Sequence, residues 1–231
     1  MIAAADMSES ESLSELIGDI YDAALDPALW PTVLEKIAEF TNGATAGLLL
    51  KDAVSKAGDA YYQFGVDDHY LRLYREKYWQ FDPLTPLLFF DVGQIVSRAD
   101  YLPDDEFREG RFYKEWVAPQ GFVDAANVVL DKSVTSCALL SVIRSTAQGM
   151  VDEEMRRRVA LLAPHVRRAV LIGRVIDLKR TEAAALADSL DGLAAGMFLV
   201  DAEGGGSCMR MHAPMSCWAK DRFCVQLAGD C

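Results

Sequence analysis

No run of apolar residues in this chain is long enough to cross a bilayer, which takes about 20 in a row, and charges interrupt every candidate stretch. Histidine is scarce: only three occur, His69, His165 and His212, and none has a catalytic neighbour pattern. The G-x-S-x-G elbow, the phosphate-binding G-x-x-x-x-G-K-[ST] loop, H-E-x-x-H and G-x-G-x-x-G are all missing. These absences argue against an enzyme and against a nucleotide, metal or other cofactor. Positive charge is also short. Lys and Arg number 23 against 35 Asp and Glu, a net charge of −12, which disfavours wrapping nucleic acid because phosphate contacts lean on Lys and Arg. The N-terminal MIAAADMSESESLSEL is acidic, not basic then apolar as in a secretory signal. The expectation is a soluble, cytoplasmic protein that does not enter membranes.

Cysteine is nearly absent until the end. Of five, only Cys137 precedes the final group Cys208, Cys217, Cys224 and Cys231. Structural zinc usually uses close C-x2-4-C pairs, because one tight turn must aim two ligands at one ion. Here the intervals are eight, six and six residues, so no metal site is expected. Disulfides are not expected in a reducing compartment. A third reading is a shifted frame. Combining each codon's last base with the next codon's first two makes Met211-His212 encode Ala, and permits Val or Ile near Gly206-Ser207. The restored text, roughly G-R-[IV]-V-H-A-N-A, follows Met197 to Gly204 (MFLVDAEG) and resembles the opening of a PAS sensor domain. On this reading Gly205 to Cys231 is out-of-frame peptide that ends a second domain early.

The rest of the chain shows regular periodicity. Residues 1–12 are expected to be a disordered leader. Leu13 to Ala24 has helical spacing, Asp26-Pro27 breaks it, and Pro31 opens a second helix to about Phe40. Ala46 to Leu50 and Ala60 to Gly65 read as a strand pair. Asp67 and Asp68 cap a helix through Tyr78, and Phe81-Asp82-Pro83 ends it. Further elements follow: a short segment at Gln94 to Ser97, a helix at Asp105 to Trp116, and strands at Val123 to Leu130 and Ser136 to Arg144. Helices flanking one small antiparallel sheet give an α+β sensor fold of the GAF/PAS kind over 13–150. A long signalling and dimerisation helix at 151–190 and a fragmentary PAS-like start at 191–231 complete the expected organisation.

In the long helix Met155, Val159, Leu162, Val166, Ala169, Gly173 and Ile176 keep 4-3 spacing. This seam suits either a homodimer contact through 155–176 or packing on the chain's own sheet. Pro164 lies within it and is expected to kink the helix. The basic cluster from Arg156 to Arg180 lies among acidic residues and reads as a solvated helix face.

Sixteen of the 22 aromatic residues lie between Tyr61 and Phe122. Such density lines small-molecule pockets as well as packed cores. The candidate ligand-binding residues are Tyr62, Tyr70, Tyr74, Trp79, Asp82 and Trp116. Asp82 is the one carboxylate in an otherwise aromatic and apolar run; the alternative is that it caps a turn.

IYDAALDPALWPTVLEKIAEF, YWQFDPLTP, EWVAPQGFVDAANVVL and LLAPHVRRAVLIGR, in that order, resemble the N-terminal sensory region of bacterial LuxR-type transcriptional regulators over Leu13 to Gly204. The resemblance implies a small-molecule signal. It also implies DNA binding through a helix-turn-helix that this sequence does not contain. Tyr70 to Pro83 is similar to the autoinducer-binding segment of quorum-sensing members, where an aspartate before a proline holds the signal's amide; Asp82 would take that role. The aromatic spacing ahead of Asp82 differs from that subgroup. A small cytosolic enzyme using the aromatic pocket and a stand-alone dimerisation module are the other readings.

Overall fold

The computed structural model describes residues 2–52, 57–83, 90–134, 136–191, 199–200 and 206–207. The chain divides into two units, Met1–Gly173 and Arg174–Cys231. In the first, five antiparallel strands form one sheet in the order β2-β1-β5-β4-β3. The strands are β1 (Thr45–Asp52), β2 (Ala57–Phe64), β3 (Ile95–Ser97), β4 (Phe122–Lys132) and β5 (Ser136–Ser145). This is the GAF-like α+β architecture.

Side chains alternate across a strand, and here the alternation separates two interiors. Leu48, Val128 and Leu140 stand in register on one face. They join the large core beneath three helices: α1 (Ile2–Leu25), α2 (Trp30–Phe40) and α5 (Glu153–Asp191). Helix α1 supplies Leu16, Ile20, Ala23 and Ala24, and α2 supplies Trp30, Val33, Leu34, Ile37 and Ala38. Both sets follow helical spacing, and each fully buried Leu or Ile contributes about 1.5–3 kcal/mol. Gly47, Asn127 and Ser141 stand in register on the opposite face.

The junctions follow from sequence. Asp26 accepts a hydrogen bond from the Ala28 amide at 3.1 Å, closing the turn between α1 and α2. Asn42 adopts φ 55°, and Gly43 follows where a Cβ would sit 2.4 Å from Val142 Cγ1. Only glycine lets the chain pass that close to the sheet.

Two expectations are revised. Helix α1 begins at Ile2, where a disordered leader was expected; Glu9 pairs with Arg157 and Arg158 of α5, so this segment has tertiary partners. The 4-3 seam does not face outward. Met155, Val159, Leu162, Val166 and Ala169 are buried in the chain's own core, so that face is not free for a second copy. The large apolar residues that α5 leaves exposed are Leu161, Ile172, Val175, Leu178 and Leu186. Helix α5 runs on through Pro164, as the long helix read from the sequence requires.

The basic cluster meets its own acids. Arg156 pairs with Asp100, Arg157 and Arg158 both pair with Glu154, and Lys179 with Glu182. In the second unit β6 (Leu199–Val200) pairs antiparallel with β7 (Gly206–Ser207). The cysteine-rich stretch 208–231 lies outside the described residues, as does 84–89.

Candidate functional site

The sheet face opposite α1, α2 and α5 carries a cavity of ≈ 110 Å³. Its floor includes Gly47 and Leu49 of β1, Gln63 of β2, Asn127 of β4 and Ser141 and Ile143 of β5. Its roof comes from the segments between β2 and β4. Two short helices there, α3 (Asp68–Leu73) and α4 (Asp104–Glu109), are each followed by a π-helical turn, Tyr74–Tyr78 and Tyr113–Val117. Such turns add a residue to the helical period and are frequent at functional sites. Each presents one ring to the cavity: Tyr74 from the first, Trp116 from the second.

Asp67 starts α3 by accepting the His69 amide at 2.8 Å. About two turns later Tyr74 is 6% exposed. Its ring centroid lies 5.4 Å from that of Trp116, and Trp116 stacks on Phe112 at 5.1 Å. The indole Nε1 donates to the Tyr70 carbonyl at 2.9 Å, so the buried N–H is satisfied. The Tyr74 hydroxyl donates to Asp82 Oδ2 at 2.5 Å, and Asp82 is 5% exposed. Burial, followed by the field and hydrogen bond of Asp82, holds the Tyr74 hydroxyl well above its ordinary pKa.

Glu115 ties the two π-helical turns together. It accepts from Arg111 Nε at 2.8 Å, Tyr78 Oη at 2.7 Å and Lys77 Nζ at 3.0 Å. These bonds, Arg111 first, pull its carboxyl down to about 2.

Of the six candidates, Tyr74, Asp82 and Trp116 lie on the cavity wall. Tyr62 does not: it pairs with Leu48 in the sheet, which turns its ring to the helix side, stacked on Trp30 at 6.0 Å. One residue on, Gln63 faces the cavity, as strand parity requires. Tyr70 and Trp79 pack around the aromatic cluster without lining the cavity. Sequence reasoning missed Arg98, Tyr101, Asp124, Asn127 and Ser141, all lining residues. The available signal was polar residues set inside apolar strands at 124, 127 and 141, where each is now buried.

The His and Cys side chains described lie away from the cavity wall. His165 Nδ1 is 3.3 Å from the Tyr21 hydroxyl, Cys137 is buried in a separate small apolar cluster, and no group of three acidic, His or Cys residues could hold a metal ion among the residues described. No described helix is long and apolar enough to cross a membrane.

No protein-family model and no curated protein sequence matches the chain. Solved structures do. The VqsR LBD domain from Pseudomonas aeruginosa aligns with TM-score 0.57 at 15% identity, covering 69% of this chain and 94% of that one. The GAF domain of a phosphoenolpyruvate-protein phosphotransferase from Coxiella burnetii aligns with TM-score 0.52 at 11% identity, covering 73% and 98%. The N-acylhomoserine lactone-dependent LuxR-family transcription factor CepR2 from Burkholderia cenocepacia aligns with TM-score 0.48 at 14% identity, covering 69% and 93%. At such identities the first two show the fold, which is that of a GAF-like sensor domain.

Proposed function

We propose that Met1–Gly173 is the signal-binding sensor of a LuxR-type transcriptional regulator, with the cavity above the sheet as its small-molecule site. The observation that carries this is Asp82, buried next to Pro83 on an aromatic cavity wall and hydrogen-bonded by Tyr74. The resemblance of Tyr70 to Pro83 to a signal-binding segment assigns the same role to this carboxyl.

Both π-helical turns belong to the roof, and Glu115 links them, so a ligand against Tyr74 and Trp116 orders both at once. A ligand can shift a regulator's state only through such differential contacts. In this reading DNA is read by a helix-turn-helix outside these residues, and the protein works in the cytoplasm. Self-association uses the exposed Ile172, Val175, Leu178 and Leu186.

Native mass spectrometry of the chain after incubation with bacterial culture extract tests this. A bound small molecule is expected on the wild type and not on Ser141→Phe, which fills the cavity from its floor. A bound mass retained equally by a folded Ser141→Phe variant would overturn the site. So would a wild type that takes up nothing across extracts.

A further inference from the structure

Two polar atoms on the residues that line the cavity are buried with no hydrogen-bond partner among the described residues: Arg98 Nε and Asn127 Oδ1. Arg98 is 4% exposed and Asn127 1%. The other ends of both side chains are engaged. Arg98 donates through its two terminal nitrogens to the Leu102 carbonyl at 3.1 Å and to Asp104 at 2.8 Å. Asn127 Nδ2 points to the Ala125 carbonyl at 3.4 Å. That carbonyl sets the amide's orientation, because a flipped amide would put oxygen against oxygen. The unmet pair is therefore one donor and one acceptor. Both belong to the β3–β4 side of the sheet, since Asn127 of β4 pairs with Val96 of the edge strand β3 and Arg98 lies two residues beyond Val96. Leaving buried polar atoms unmet is costly, so what fills this cavity is expected to meet them.

Size and charge narrow the class. The volume of ≈ 110 Å³ is somewhat below the roughly 150 Å³ of an apolar cavity that accepts benzene. Two buried carboxyl groups, Asp82 and Asp124, line the site with one guanidinium, and Arg98 is already paired with Asp104. The Tyr101 hydroxyl on the same wall is pushed up by burial and then by those two carboxyls, so the field there opposes a further negative charge.

We propose that the cavity takes an uncharged molecule of about single-ring size that offers an acceptor to Arg98 Nε–H and a donor to Asn127 Oδ1. This rests on the cavity being a ligand site, as proposed above. A primary aryl amide has the required pattern; a carboxylate of the same shape has no donor and carries the wrong charge.

The test is ¹⁹F NMR titration of the full chain with 4-fluorobenzamide, 4-fluorobenzoate and 4-fluorotoluene. The amide is expected to bind at least about tenfold more tightly than the carboxylate, and to weaken about tenfold in Asn127→Leu. The toluene should hold its affinity in that variant. Arg98→Lys keeps a cation for Asp104 and removes Nε, so it should weaken the amide similarly and serves if Asn127→Leu does not fold. Toluene binding with no response of the amide to either variant, or carboxylate binding equal to the amide, would overturn the donor–acceptor assignment and leave the site standing. Failure of all three probes to bind the folded wild type would overturn the cavity as a ligand site.

Discussion

Removing the Tyr74 hydroxyl tests the polar anchor of the cavity most directly. Tyr74→Phe keeps the ring against Trp116 and Phe112 but deletes the 2.5 Å bond to Asp82. Both partners are buried, and a hydrogen bond to a charged group contributes about 1.5–3 kcal/mol. Loss of about 2 kcal/mol is expected at neutral pH, which for a unit of this size lowers the melting temperature by about 4–8 °C. The alkaline limb adds a second readout. Folding raises the Tyr74 pKa above its ordinary 10.0. Above pH 10 the unfolded chain releases this proton while the folded one keeps it, so stability is complete below pH 10 and falls as pH rises past it. Tyr74→Phe should flatten that decline, and Tyr101, shifted in the same direction, should retain part of it. Urea denaturation followed by tryptophan fluorescence from pH 7 to 11 measures both. A change under about 0.5 kcal/mol with an unaltered alkaline slope would refute the claim that this bond is made in the buried site.

The acid limb should report Glu115. Its carboxyl is lowered to about 2 from 4.5, so its contribution is complete above pH 4.5 and is lost as pH falls through about 2; Glu115→Gln should reduce that acid slope in fluorescence-monitored unfolding. Leu162→Ala, at a fully buried seam position, should cost about 2–5 kcal/mol in urea melts. Val175→Ala, on the exposed stretch, should change monomer stability by less than about 0.5 kcal/mol, and the opposite ranking would restore the outward-facing seam. Gly43→Ala drives a Cβ to 2.4 Å from Val142 Cγ1 and should cost about 1–3 kcal/mol in a thermal melt.

Periodicity made the elements legible because a helix repeats every 3.6 residues and a strand every two. The helix over Trp30–Phe40, the four longer strands and the long C-terminal helix all lie where their apolar spacing puts them. Spacing alone did not say what a stripe touches. Met155 to Ala169 has the same pattern whether it meets a partner or its own sheet, and only the packed core shows that it faces the latter. Aromatic density pointed to the region of the cavity, and Asp82 stood out as the one carboxylate in its own aromatic and apolar run, whereas Asp124 on the same wall did not. Yet Tyr62 and Gln63 are neighbours in sequence and lie on opposite faces, a difference set by register with β1.

Sequence by itself therefore determined the GAF-like element order, the chain breaks at Asp26-Pro27 and Asn42-Gly43, and the aromatic identity of the roof. These are local properties, written in backbone preference and side-chain polarity. The tertiary structure alone decided which rings meet the cavity, that Arg98 and Asn127 line it with unmet atoms, and that the 4-3 seam is interior. Those depend on strand register and on groups far apart in the chain, such as Arg98 and Asn127 or Glu9 and Arg157, coming into one place, and no window of sequence records that.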